Sequence, residues 1–241
     1  MTTPVIYCWS SGKDSAFGLW TLLEDPAFEV RALLTTLAEK SRNVSMSGVR
    51  EELLELQARA LRLPLFKVWL PLSCPDEVYE ERMERALASE PLREIRHMAF
   101  SDLYLAEVRA YREERLAQAG KEGLFPLWGR DTTALAREIV SGGFRATVVC
   151  VDSRVLPTSL AGEAFDYQLL ERLPDGVDPC GERGEFHTFV WDAPMYQAPI
   201  ACRTGEVWTR DSFIYCDVLP VVRADNGIGR RKPDSYERRS L

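Results

Sequence analysis

The stretch Pro4-Val5-Ile6-Tyr7-Cys8-Trp9-Ser10-Ser11-Gly12-Lys13-Asp14-Ser15-Ala16-Phe17-Gly18-Leu19-Trp20-Thr21-Leu22-Leu23 decides how the chain is read. An apolar run, a turn of small residues and an amphipathic segment follow one another, which predicts strand, tight turn and helix. Small residues let the backbone approach an anion closely, and the first amides of the new helix point at it. The helix dipole adds about 0.3–1 kcal/mol for a negative ligand. Lys13 supplies a point charge for phosphate oxygens. Ser10 and Ser15 offer hydroxyls, and Asp14 can cap the helix or stand beside a magnesium ion. The spacing is not that of the Walker loop, and the further glycines of the dinucleotide fingerprint are missing.

Downstream, Phe28 to Thr36 reads as a second strand and Lys40 to Ser47 as a polar, mobile loop. A helix is expected over Gly48 to Leu61, a strand over Leu65 to Leu70 and a helix over Pro75 to Ser89. A strand over Ile95 to Phe100 and a helix over Asp102 to Ala119 complete the alternation. Strands alternating with helices predict an α/β fold, a parallel sheet with crossover helices, whose ligands sit beyond the carboxyl ends of the strands. Leu124 to Arg130 marks a change of regime, with Trp128 read either as a base-stacking ring or as a packed elbow between domains. A helix over Thr132 to Ser141, a strand over Arg145 to Asp152 and short strands over Glu206 to Arg210 and Ser212 to Val218 suggest a second, smaller α/β domain. The expected division is 1–129 for phosphate binding, 130–226 for the substrate side, and a basic, solvated tail over 227–241.

The chain has 241 residues, 46% of them hydrophobic and 28% charged, with a net charge of −7. That is the balance of a globular protein with room for one large core or two modest ones. Apolar stretches stay short of the roughly 20 residues a bilayer span requires. The N-terminus carries no export signal, so a cytoplasmic setting without a membrane is expected. The acidic balance argues against a broad nucleic-acid footprint. Six cysteines occur without a CxxC pair and two histidines without zinc spacing, so neither a disulfide framework nor a metal centre is indicated.

Asp178-Pro179-Cys180-Gly181-Glu182-Arg183-Gly184-Glu185-Phe186-His187-Thr188 gathers glycines, carboxylates and a histidine on what reads as a tight loop. Glu182 and Glu185 can orient an amine or hold magnesium, and His187 can shuttle a proton. The alternative is a solvated surface turn.

Ser10 to Ser15 resembles the PP-loop, the SGGxDS-type signature of enzymes that cleave ATP to AMP and pyrophosphate, with Ser11 standing at the first glycine. Over nearly its full length the chain resembles the diphthine–ammonia ligase family. The likeness rests on Ser11 to Ser15, Leu56-Gln57-Ala58 with Leu61 to Leu65, Ser101-Asp102, Pro126-Leu127-Trp128-Gly129 and Cys180 to Glu185. The resemblance implies a HUP-type first domain that binds ATP through Ser10, Ser11, Gly12, Lys13, Asp14, Ser15 and Asp102, with magnesium as cofactor. It also implies a second domain that offers Gly181, Glu182, Gly184, Glu185 and His187 to a carboxylate-bearing acceptor. Lys13, Glu182 and Glu185 are the expected catalytic residues, and ammonia or an amine is the expected nitrogen donor. Two departures, Phe186-His187-Thr188 in place of Tyr-Glu-Thr and Met46-Ser47-Gly48-Val49 in place of Met-x-His-Thr, mark a bacterial-looking subgroup and leave a different acceptor open. An RNA-modifying enzyme and a non-catalytic nucleotide sensor stay open as alternatives, as does a homodimer.

Overall fold

The computed structural model describes residues 2–71 and 73–221, so the basic segment expected at 227–241 lies outside the described residues. Strand β1 (Thr3–Cys8) runs through the middle of a five-stranded parallel sheet of order β3-β2-β1-β4-β5. Its partners are β2 (Phe28–Ala38), β3 (Leu65–Leu70), β4 (His97–Ala99) and β5 (Glu122–Leu124). Both faces of such a sheet are covered, and β1 accordingly reads as a continuous apolar run. Val5 and Tyr7 face one core together with Leu33 of β2, whereas Ile6 faces another with Ala32 and Leu34. Helices α1 (Lys13–Glu24) and α2 (Glu51–Leu61) supply Phe17, Leu19, Leu53 and Leu54 to the first core. Helices α3 (Asp76–Leu87) and α4 (Ala106–Gln118) supply Leu87 and Leu116 to the second. The strand order reverses at β1, so the carboxyl end of β1 is the topological switch point where ligands are received.

Helix α5 (Thr132–Ser141), capped by the Asp131 side chain accepting the Ala134 amide, leads into β6 (Arg145–Asp152). With α6 (Tyr167–Arg172), β7 (Phe186–Asp192), β8 (Cys202–Arg210) and β9 (Phe213–Pro220) the second part is formed. Its sheet is antiparallel, of order β7-β6-β9-β8. Leu135, Ile139 and Phe144 join Phe189 and Val190 in the same core as Phe17 and Leu53, so the two sheets share one apolar interior.

Several expected boundaries move for local reasons. The second helix starts at Glu51, because Gly48 is left-handed (φ +72) and Arg50 is extended as its N-cap. The segment expected to be mobile, Lys40 to Ser47, is pinned instead. Ala38 N–H donates to Asn43 O, Val44 N–H to Val49 O, and isolated bridges join Leu37 to Val44 and Asn43 to Arg50. The helix expected from Asp102 begins at Ala106. Trp128 packs edge-on against Phe125, and the Arg109 guanidinium covers both rings, contacts that all lie within the first part.

Gln57, fully buried on α2, clasps the two parts together. Its side chain accepts from Trp9 Nε1–H at 2.8 Å and donates to Ser11 O at 3.1 Å and Val190 O at 2.7 Å. Gln57→Leu keeps the volume and takes the partner from Trp9 Nε1–H and Val190 O, while Ser11 O keeps the Val190 amide, at about 1–3 kcal/mol for each group left unpaired. Denaturant unfolding is expected to register a loss of about 2–5 kcal/mol.

Candidate active site

The site begins where β1 ends. Ser11 adopts φ +73, a left-handed conformation that costs a residue other than glycine about 1–2 kcal/mol. The strain is held in place because Ser11 O accepts both from Val190 N–H at 3.0 Å and from Gln57. Ser11 is fully buried and, like Ser15, does not line the cleft over the turn, so these two expected phosphate ligands shape the turn instead of facing a ligand. Gly12 is the N-cap of α1 and gives no side-chain cap. A Cβ there would stand 3.3 Å from Thr188 O, so the glycine allows β7 to press directly on the turn. Asp14 thus sits in the first helical turn rather than at the cap, and the opening amides of α1 have no carbonyl one turn back. Ser15 Oγ accepts Ser10 N–H at 3.2 Å and closes the turn on itself.

Lys13 is 1% exposed. Its Nζ donates to Cys180 O and to Asp14 Oδ2, the latter at 2.8 Å, and lies 5.2 Å from the Phe165 ring centre and 4.9 Å from that of Phe186. Burial works against its charge, but Asp14 and the groups around Cys180 and Asp178 outweigh it and hold its pKa above the ordinary lysine range. Lys13 therefore ties the loop after Asp178 to the first sheet.

A cleft of about 540 Å³ opens over this turn. Ser10, Gly12, Lys13, Asp14, Asp102, Gly181, Glu182, Gly184 and His187 all line it, so most of the expected site residues converge. Cys8, Thr36 and Phe100 bring the carboxyl ends of β1, β2 and β4 to the same space. Glu182 Oε1 accepts Leu103 N–H at 2.7 Å. Burial first, then the nearby Asp14 and Asp102 carboxylates, push its pKa up to about 7 in spite of that hydrogen bond. Such a carboxyl is poised for proton transfer near neutrality. Asp102 pairs with Arg112 of α4, whose Nη2 donates to Oδ1 at 3.2 Å and whose guanidinium lies 4.5 Å from the Phe100 ring centre.

Glu185 corrects an expectation. Its carboxylate does not line the cleft but accepts Arg183 N–H at 2.9 Å and Asp178 N–H at 3.3 Å. It shapes the loop that presents Glu182 and does not itself face an acceptor. Gly181 has φ +68, and a Cβ there would meet Phe186 O at 2.8 Å. The expected loop also ends early, since β7 begins at Phe186 and carries His187 and Thr188 as strand residues. In the sequence, Thr188 and Gln57 stand only within longer stretches and carry no assigned role, and Arg112 is not singled out. Only Thr188 had a local signal, its place directly behind the glycine-rich loop.

His187 is pushed down to about 4, by burial first and by Lys13 second. It is neutral in the folded protein and titrates near 6.5 when unfolded. Its contribution to stability is therefore present above about pH 6.5 and is lost as pH falls through about 4. Denaturant unfolding across that window is expected to show a loss approaching about 3 kcal/mol that His187→Gln largely removes.

Among the described residues no group of three or more His, Cys, Asp or Glu is placed to hold a metal ion. Asp14 Oδ1 is buried without a hydrogen-bond partner, which suits a cation carried mainly by nucleotide phosphates. The Cys8 thiol, pushed up to about 12 by burial, is no nucleophile, and burial likewise raises Cys180. Among the described residues no helix is long and apolar enough to cross a membrane.

The diphthamide synthase N-terminal domain model matches residues 3–119, and the diphthamide synthase C-terminal domain model matches residues 131–220. The diphthine–ammonia ligase of Rattus norvegicus is 23% identical over 228 residues, covering 85% of this chain and 85% of the rat protein. That of Homo sapiens is 25% identical over 221 residues, 82% of each chain. That of Danio rerio is 34% identical over 119 residues, 45% of this chain and 46% of its own. With both halves matched in order, the chain belongs to the diphthamide synthase family of diphthine–ammonia ligases.

Proposed function

We propose that the protein couples cleavage of ATP to AMP and pyrophosphate with amide formation on a carboxylate-bearing acceptor. The observation that carries this reading is the placement of the start of α1, whose own N-cap residue offers no side-chain bond, and a carboxyl raised to about 7, Glu182, on one cleft. Loop amides and Lys13 receive the β- and γ-phosphates, which leaves the α-phosphorus toward the second sheet. Magnesium, held by Asp14 and the phosphates, would neutralise charge on the leaving pyrophosphate. An acceptor carboxylate oxygen attacks the α-phosphorus as the bond to the β-phosphate oxygen breaks. Pyrophosphate departs into the cradle, and an acyl-adenylate remains. Glu182 takes a proton from ammonium or an alkylammonium. The free amine attacks the acyl carbon, the bond from that carbon to the AMP oxygen breaks, and the proton shed by the new amide nitrogen passes to solvent as AMP leaves.

The diphthine of the relatives' name is the first acceptor to supply, with small carboxylates beside it because residues 46–49 and 186–188 differ on the acceptor side. With an acceptor labelled by heavy oxygen in its carboxylate, one labelled atom is expected in AMP. Formation of ADP and orthophosphate, or unlabelled AMP, would refute the reading.

A further inference from the structure

We propose that Thr188, contributed by the second sheet, is a phosphate-binding residue of the nucleotide cradle. The inference rests on the reading that the terminal phosphates of ATP lie on the turn at Ser10 to Ser15. Thr188 is 3% exposed and lines the cleft. Its Oγ1 accepts Lys13 N–H at 3.0 Å. That bond removes one amide from the set that would otherwise face an anion. A hydroxyl that accepts still has its own proton to give, and among the described residues no protein acceptor takes it.

Alternation along β7 supports the direction. Phe186 and Thr188 lie on one face of the strand, and the Phe186 ring is 4.9 Å from Lys13 Nζ, so that face meets the turn. The contact is held on both sides. Gly12 leaves room for Thr188 O, and Val190 N–H donates to Ser11 O at 3.0 Å. Lys13 N–H, Thr188 Oγ–H and a phosphate oxygen then form a chain in which each hydrogen bond polarises the next. The cradle is thus built jointly by the two sheets, and its last donor is a side chain remote in sequence.

The test measures binding of magnesium pyrophosphate and of adenosine to the full chain by calorimetry. Thr188→Val is expected to weaken pyrophosphate about 10–100-fold, the loss of one hydrogen bond to a charged group, and to leave adenosine unchanged. Thr188→Ser is expected to restore pyrophosphate affinity, and the KM for ATP should follow the same order while kcat changes less. Thr188→Cys, a weak donor of similar shape, replaces the valine variant if that one does not fold. Equal pyrophosphate affinity in Thr188→Val and wild type overturns the inference, as does parallel weakening of adenosine or failure of serine to rescue. Absence of pyrophosphate binding by the wild-type chain overturns the cradle reading itself, and this inference with it.

Discussion

Lys13→Ala is expected to lower AMP formation by about 10²–10³, the usual cost of deleting one preorganised donor to a developing charge. The structure adds a second consequence that the sequence does not announce. The Lys13 ammonium is wedged between Asp14, Cys180 O and the rings of Phe165 and Phe186. Removing it leaves a carbonyl without its donor and a gap between two aromatic rings, at about 2–4 kcal/mol. In a chain of this size that corresponds to roughly 5–15 °C in thermal midpoint, so the variant folds but melts earlier. Lys13→Met separates the two effects, because it keeps most of the buried stem and loses the charge. AMP release and thermal unfolding measured side by side should show both variants inactive and the methionine variant closer to wild type in midpoint. AMP release at the wild-type rate by either variant would sink the assignment.

Glu182→Gln is expected to cost about 10²–10⁴ in the rate of amide formation from ammonium. In the wild type the rate should rise as pH passes about 7, where Glu182 ionises and becomes able to accept a proton. The glutamine variant should lose that limb. Hydroxylamine, already an uncharged nucleophile at neutrality, bypasses the base and should rescue the variant; a deficit unchanged by hydroxylamine would rule the role out. Stability moves the other way. A carboxyl whose folded pKa lies above its unfolded value near 4.3 favours the folded state most when protonated, so that contribution fades as pH rises through about 7. Glu182→Gln, which never ionises, should therefore be the more stable protein above neutrality while being the slower enzyme.

The tie from Lys13 to Cys180 O also bears on how the two parts communicate. The loop that presents Glu182 is held by Glu185, by Asp178, which accepts Cys180 N–H and Tyr104 O–H, and by Lys13. Phosphates arriving at the turn meet a lysine already engaged with that loop. On the proposed reading, nucleotide binding and the acceptor side share the same few groups, and any energetic coupling between them is reciprocal.

Much of the first sheet was legible because local and long-range demands coincide there. The run Val5-Ile6-Tyr7 is apolar on both faces, as a central parallel strand requires, and Ser10-Ser11-Gly12 can only be a turn. Helix α5 and strand β6 were readable end to end from apolar periodicity and the glycines at 142 and 143, whereas the Asp131 cap emerged only from the structure. Strand β7 was not. Its opening residues follow a glycine-rich stretch, and its burial depends on β6 and on the turn at Ser11, neither of which a local pattern reveals. The same blindness misassigned Glu185. Two carboxylates three positions apart look equivalent, yet one is absorbed by its own loop's amides and the other is turned to Leu103 and the cleft.

Sequence alone determined that a turn of small residues follows the first strand of a parallel sheet, because chain chirality, small residues and apolar periodicity act within a few neighbouring positions. Only the tertiary structure decided which groups complete that turn and what charge they carry. Thr188, Gln57 and Arg112 come from remote elements, and the protonation of Glu182 and His187 follows from burial that arises when the two sheets close over one interior.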